Sequence, residues 1–97
     1  MEFPITGLGF SEKFLKELTK LDPGIQTAAR DALLLLQTNP SAKTLRLHRL
    51  TGFARPSLWK IDVFSNKSYQ ITFEMEGAVA HLKRIATHAQ LDRNPRG

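Results

Sequence analysis

The stretch at residues 58–76, LWKIDVFSNKSYQITFEME, decides the fold, because its apolar residues fall at every second position. Trp59, Ile61 and Val63 alternate with Lys60 and Asp62. After the turn residues Ser65 to Ser68, Tyr69, Ile71, Phe73 and Met75 alternate with Gln70, Thr72 and Glu74. A period of two is the side-chain period of a strand, so each strand here turns an apolar face one way and a polar face the other. Glu76-Gly77 then turns the chain into a last strand from Ala78 to Ala86. Upstream, Leu45, Leu47 and Leu50, with Arg46, His48 and Arg49 between them, predict a further strand that ends near Thr51-Gly52. Connections this short predict an antiparallel meander. Its polar face would carry Lys60, Asp62, Gln70 and Thr72.

The apolar face needs a covering layer, and the first forty residues supply one. Ser11 is a natural N-cap, and Phe14, Leu15, Leu18 and Leu21 follow at helical spacing with lysines on the other side. Asp22-Pro23 is a cap residue followed by proline at the first helical position. It opens a second helix striped by Ile25, Ala28, Ala29, Ala32, Leu33 and Leu36, and Asn39-Pro40 stops it. The expected architecture is therefore α+β: an N-terminal helical hairpin packed on an antiparallel sheet. Between Phe3 and Phe10, Pro4, Gly7 and Gly9 leave two readings, an edge strand or an irregular lead-in.

Composition bounds what such a fold can do. At 97 residues the chain suits one domain, 1–97, with no internal repeat or linker. The absence of cysteine excludes a disulfide framework and thiolate metal sites. His48, His81 and His88 show no ligand spacing, so no metal and no cofactor is expected. The apolar run Leu33–Leu36 is far too short to span a membrane, and the N-terminus lacks the features of a signal peptide. The expectation is a soluble cytoplasmic protein.

The net charge of +5 is unevenly placed. Through Pro40 there are four basic and five acidic residues; from Ser41 onward there are ten basic and four acidic, and all three histidines. The basic character thus belongs to the predicted meander. A surface of that kind draws polyanions, chiefly through phosphate contacts.

Five segments in order, a leucine-rich helix ending in Asn-Pro, then LRLHRLTG, LWKIDV, SYQITFE and IATHAQLDR, resemble the RelE/ParE superfamily of toxin-antitoxin toxins over residues 11–93. The likeness lies with its RelE/HigB-like branch. It implies the same two-layer fold, and an endoribonuclease that cuts messenger RNA at the ribosome. Another branch poisons DNA gyrase. Members are silenced by a cognate antitoxin, which makes an acidic, partly disordered segment with an amphipathic helix the expected partner.

The resemblance also implies site residues. Metal-free RNA cleavage, by attack of the 2′-hydroxyl on its own phosphate, needs a proton acceptor, a proton donor and positive charge. His88 stands where such toxins often place a catalytic histidine, and Lys60 matches a basic position of the ribonuclease branch. Arg46 and His48 are expected to share one side of their strand, with Arg49 on the other. Arg84 and Arg93 are candidates for phosphate contact, and Lys83 and His81 extend the basic surface. Trp59 and Tyr69, alternating with Ile61 and Ile71, are expected in the core rather than stacked on bases. Three departures bear on chemistry: Gln70 stands where an arginine is usual, Ala89 where an acidic residue often follows the histidine, and Asp92-Arg93 where an aromatic residue is often found. Either Lys60, Arg46 and Arg84 compensate, or the chain is a weak or inactive nuclease kept as an antitoxin-binding module.

Overall fold

The computed structural model describes residues 4–54, 57–64, 66 and 68–96. Despite its glycines, Gly7–Phe10 forms an edge strand, β1, which pairs in parallel with the last strand, Gly7 opposite Val79 and Phe10 opposite Leu82. Gly9 lets the His81 ring lie close over β1, since a Cβ there would come within 2.8 Å of that ring and displace it. Ser11 then caps α1 (Glu12–Thr19), its hydroxyl accepting from the Phe14 amide at 3.1 Å. Helix α2 (Pro23–Thr38) starts with Pro23 in its first turn after Asp22, whose side chain makes no capping bond. The Gln26 amide instead ties the hairpin together by donating to the carbonyls of Leu18 and Leu21 at the end of α1.

Strands β2 (His48–Ala54), β3 (Ser57–Asp62), β4 (Gln70–Glu76) and β5 (Val79–Ala86) form the expected meander, and the whole sheet runs β1-β5-β4-β3-β2. The parallel β1 makes it a mixed sheet. On its core face, Phe14, Ala29, Ala32, Leu33 and Leu36 of the helices pack with Ile61, Ile71, Phe73, Leu82 and Ile85. Trp59 packs at the margin of the same cluster, as its alternation predicts.

Two expectations need correction. The first concerns β2, which begins at His48 rather than Leu45 and runs past Gly52, where φ is +86° and the pairing register shifts. Leu45 and Leu47 alternate, but they sit in tight turns closed by Leu45 N–H to Ala42 O and Arg46 N–H to Lys43 O. What looks like strand period is two apolar side chains turned inward from a loop; Leu45 is fully buried in the core.

The second concerns the polar sheet face, which is not open. Lys60, Asp62, Gln70, Thr72 and Arg84 are each at most 8% exposed. A short helix, α3 (His88–Arg93), and the segment after it fold across that face. Thr72 Oγ1 donates to Pro95 O at 2.7 Å, Arg84 Nη1 to Asn94 O at 2.8 Å, and Arg96 Nε to Glu74 Oε2 at 2.8 Å. Leu58, Ala86 and Leu91 are buried there, outside the main cluster. Where β1 stops, α1 takes over the exposed edge of β5. Ser11 bonds the carbonyls of Leu82 and Lys83, and Glu17 Oε1 accepts the Ile85 amide at 3.3 Å. Among the described residues no helix is long and apolar enough to cross a membrane.

Candidate nucleic-acid site on the sheet face

Strand register arranges the polar face in rows. Arg84, Thr72, Lys60 and His48 oppose one another across β5, β4, β3 and β2; Ala86, Gln70 and Asp62 form the next row. Cross-strand neighbours on one face stand about 5 Å apart and diagonal ones about 7–8 Å, so Lys60 is a near neighbour of both Asp62 and Gln70. Among the described residues nothing hydrogen-bonds or ion-pairs with the Lys60 ammonium, although only 6% of the residue is exposed. An ammonium on a largely apolar stem at a sheet face can accept a phosphate oxygen as its counter-charge.

His88 joins the second row from its far end. Thr87 and Gln90 form a capping box at the start of α3, which fixes His88 as the first helical residue at the mouth of the sheet. Its Nδ1 lies 3.1 Å from Gln70 Oε1, and Gln70 Nε2 donates to Asp62 Oδ1 at 2.8 Å. Its Nε2 lies 3.1 Å from Asp92 Oδ2, one helical turn on, where ring and carboxylate are 58% and 60% exposed. At the other end of the row, Arg46 Nε is 3.6 Å from Asp62 Oδ2, a buried oxygen with no hydrogen bond. A continuous polar line thus runs Arg46–Asp62–Gln70–His88–Asp92.

Arg46 and His48 come together, but not as strand neighbours. Arg46 lies in the turn before β2 with φ +49°, a left-handed conformation uncommon for arginine, and its carbonyl accepts from His48 Nδ1 at 2.6 Å. The turn, not strand alternation, aims the guanidinium at Asp62. Arg49 opposes Trp59 and so belongs to the helix side, as alternation predicts. Lys83 is the extra residue of a bulge in β5, with its carbonyl held by Ser11. Arg93 is exposed in the last turn of α3.

Arg84 has a different task from the one sequence suggests. Its Nε donates to both Glu17 carboxylate oxygens and its Nη2 to Glu17 Oε2 at 2.5 Å, while Nη1 holds Asn94 O. That guanidinium joins α1, β5 and the C-terminal segment. Asp62 and Asp92 join the site although the sequence assigns neither a role in it. Asp62 is signalled only by its place in the alternation opposite Gln70; Asp92 by its i,i+4 spacing from His88, visible once THAQLDR is read as a capped helix.

No protein-family model matches this sequence, and no curated protein matches it. Solved structures do. A double mutant of the Escherichia coli toxin RelE in its free state aligns with a TM-score of 0.70 at 18% identity, covering 93% of this chain and 90% of that one. YafQ from E. coli strain BL21(DE3) aligns at 0.69 and 16% identity over 87% and 94% of the two chains. The archaeal RelE of the RelE-RelB complex from Pyrococcus horikoshii OT3 aligns at 0.68 and 11% identity, over 87% and 96%. With shared positions so few and coverage so complete, what is common is the arrangement of helices and strands: this chain has the fold of the RelE and YafQ toxins.

Proposed function

We propose that the chain is the single-domain, cytoplasmic toxin of a type II toxin-antitoxin system, and that it cleaves messenger RNA at the ribosome without a metal. The observation that carries this reading is that His88, more than half in solvent, bonds Gln70 one row from Lys60, which has no hydrogen-bond or ion-pair partner among the described residues, on one sheet face of a RelE-type fold. In the proposed reaction the 2′-oxygen attacks the adjacent phosphorus, the bond to the 5′-oxygen breaks, and a 2′,3′-cyclic phosphate and a 5′-hydroxyl result. His88 Nε2 takes the proton of the 2′-hydroxyl, Lys60 holds the charge growing on the phosphate oxygens, and the departing 5′-oxygen is protonated from solvent. Arg46 adds positive charge at the edge of the face, and His48 stands beside Lys60. Gln70 makes no direct claim on charge. Arg93, exposed on α3, serves as a contact to a more distant phosphate, while Arg49 on the helix side and Lys83 beside Ser11 are left for phosphates outside the site.

The cognate antitoxin is the second partner in this reading. Phe10 and Leu34 are large apolar side chains left exposed, and with Leu8, Leu18, Leu33 and Arg30 they line a groove of about 440 Å³ between β1 and the hairpin. An acidic amphipathic helix would cover those side chains and meet Arg30. RelE-RelB and DinJ-YafQ complexes are known for chains of this fold.

Inducible expression with mapping of RNA 5′ ends tests the nuclease. The parent is expected to arrest growth and to leave new ends bearing 5′-hydroxyls, with or without a chelator. His88→Ala and Lys60→Met are each expected to reduce cleavage by roughly 10²-fold or more, the usual scale for general acid-base and charge-stabilising groups. Undiminished arrest by His88→Ala would overturn the nuclease and point to a target bound rather than cut.

A further inference from the structure

We infer that Gln70, oriented by Asp62, is a positioning residue that fixes which ring nitrogen of His88 carries the proton. The argument starts from what each group can offer. The Asp62 carboxylate, facing the Arg46 guanidinium, has only acceptor atoms, so the side of Gln70 that meets Asp62 Oδ1 at 2.8 Å must be its NH2. That settles the direction of the amide. Its oxygen is then left pointing at His88 Nδ1, 3.1 Å away, and an amide oxygen can only accept. Nδ1 must therefore be the donor. In the neutral ring the single proton sits on Nδ1, and the lone pair sits on Nε2, the nitrogen on the solvent side.

Asp92 opposes this arrangement only weakly. Its carboxylate is 60% exposed and free to turn to water when Nε2 has no proton to offer, whereas the Gln70–Asp62 pair is buried and cannot rearrange. Once Nε2 has taken a proton, the same carboxylate pairs with the imidazolium. The two carboxylates thus divide the work: Asp62, through Gln70, holds the ring ready to accept at Nε2, and Asp92 meets the charge that results. This also accounts for glutamine at position 70: an arginine there would offer His88 Nδ1 no acceptor.

The inference rests on the proposed role of His88 for its consequence, but not for its test. Long-range ¹H–¹⁵N correlation spectra of the purified protein, at a pH where His88 is neutral, report the protonated nitrogen directly. The parent is expected to show Nδ1–H at His88. His48, whose Nδ1 must donate to the Arg46 carbonyl, is an internal reference of known hand, and His81, on the far edge of β5, is a control that the substitution should leave unchanged. Gln70→Leu is expected to shift His88 toward Nε2–H, with His48 and His81 unchanged. Because that variant strands Asp62 and can fail to fold, a second one keeps the line intact. In Gln70→Glu combined with Asp62→Asn, the new amide donates to Glu at position 70, whose other oxygen accepts from His88, so Nδ1–H is expected to persist. Nε2–H in the parent, or loss of Nδ1–H in the folded double variant, overturns the inference. A tautomer shift in Gln70→Leu without any change in RNA cleavage upholds the inference and counts against His88 as the proton acceptor instead.

Discussion

At the scale of single residues, the side chain with the most structural consequence is Glu17. It lies on the first helix, yet it accepts from Arg84 Nε and Nη2 and from the Ile85 amide, contacts 67 and 68 positions away. The pair is largely shielded, with side-chain exposures of 10% for Arg84 and 19% for Glu17. Removing the carboxylate leaves a guanidinium in low dielectric without its counter-charge, and a strand amide without an acceptor. Breaking such pairs costs far more than the net worth of the bond. Glu17→Ala is expected to lose roughly 3 kcal/mol of stability, read as a lower urea midpoint with the slope unchanged. A loss below about 0.5 kcal/mol would place the pair with ordinary surface ion pairs. Sequence gave no hint of this pairing: Glu17 reads as one more charge on a solvated helix face, and Arg84 as one more cation for phosphate.

At the scale of elements, α3 is the piece on which the site depends. It is only six residues long, below what a free helix sustains in water, so its order comes from the Thr87–Gln90 capping box and from burial of Leu91. Leu91→Ala is expected to cost about 2–4 kcal/mol, the usual range for a buried leucine. It should also raise hydrogen exchange at the amides after His88 before the core strands respond. Uniform loosening of the whole sheet would mean that α3 and the strands open as one unit. The helices and the meander strands were legible because each buries one side and so writes a period into the sequence. The covering of the second face was not, because Asn94, Pro95 and Arg96 carry no periodic apolar residue and hold on through backbone carbonyls and one arginine. The start of β2 was misread for the converse reason: Leu45 and Leu47 mimic a strand period from within a turn.

At the scale of the whole molecule, the excess of positive charge in the second half is spread over a sheet whose polar face is mostly covered. Among the described residues of that half, exposed cations include Arg46 at the margin of the face, Arg49 on the helix side and Arg93 on α3. Binding to RNA is therefore expected to depend on salt, with log affinity falling linearly in log salt and a slope near −0.7 for each phosphate engaged on a single strand. Arg93→Ala should reduce that slope by about one such unit. An affinity indifferent to salt would exclude phosphate contact as the main attraction. The candidate site was legible in part: His88, Lys60 and His48 stand out by residue type and strand parity, while the line joining His88 to Asp62 needed the register of β3 on β4. That Glu17 and β1 both find their partners in β5 has a consequence for synthesis. The first strand and the sheet-facing side of the first helix have nothing to dock on until nearly the whole chain exists, so folding must close contacts of long sequence separation at its end.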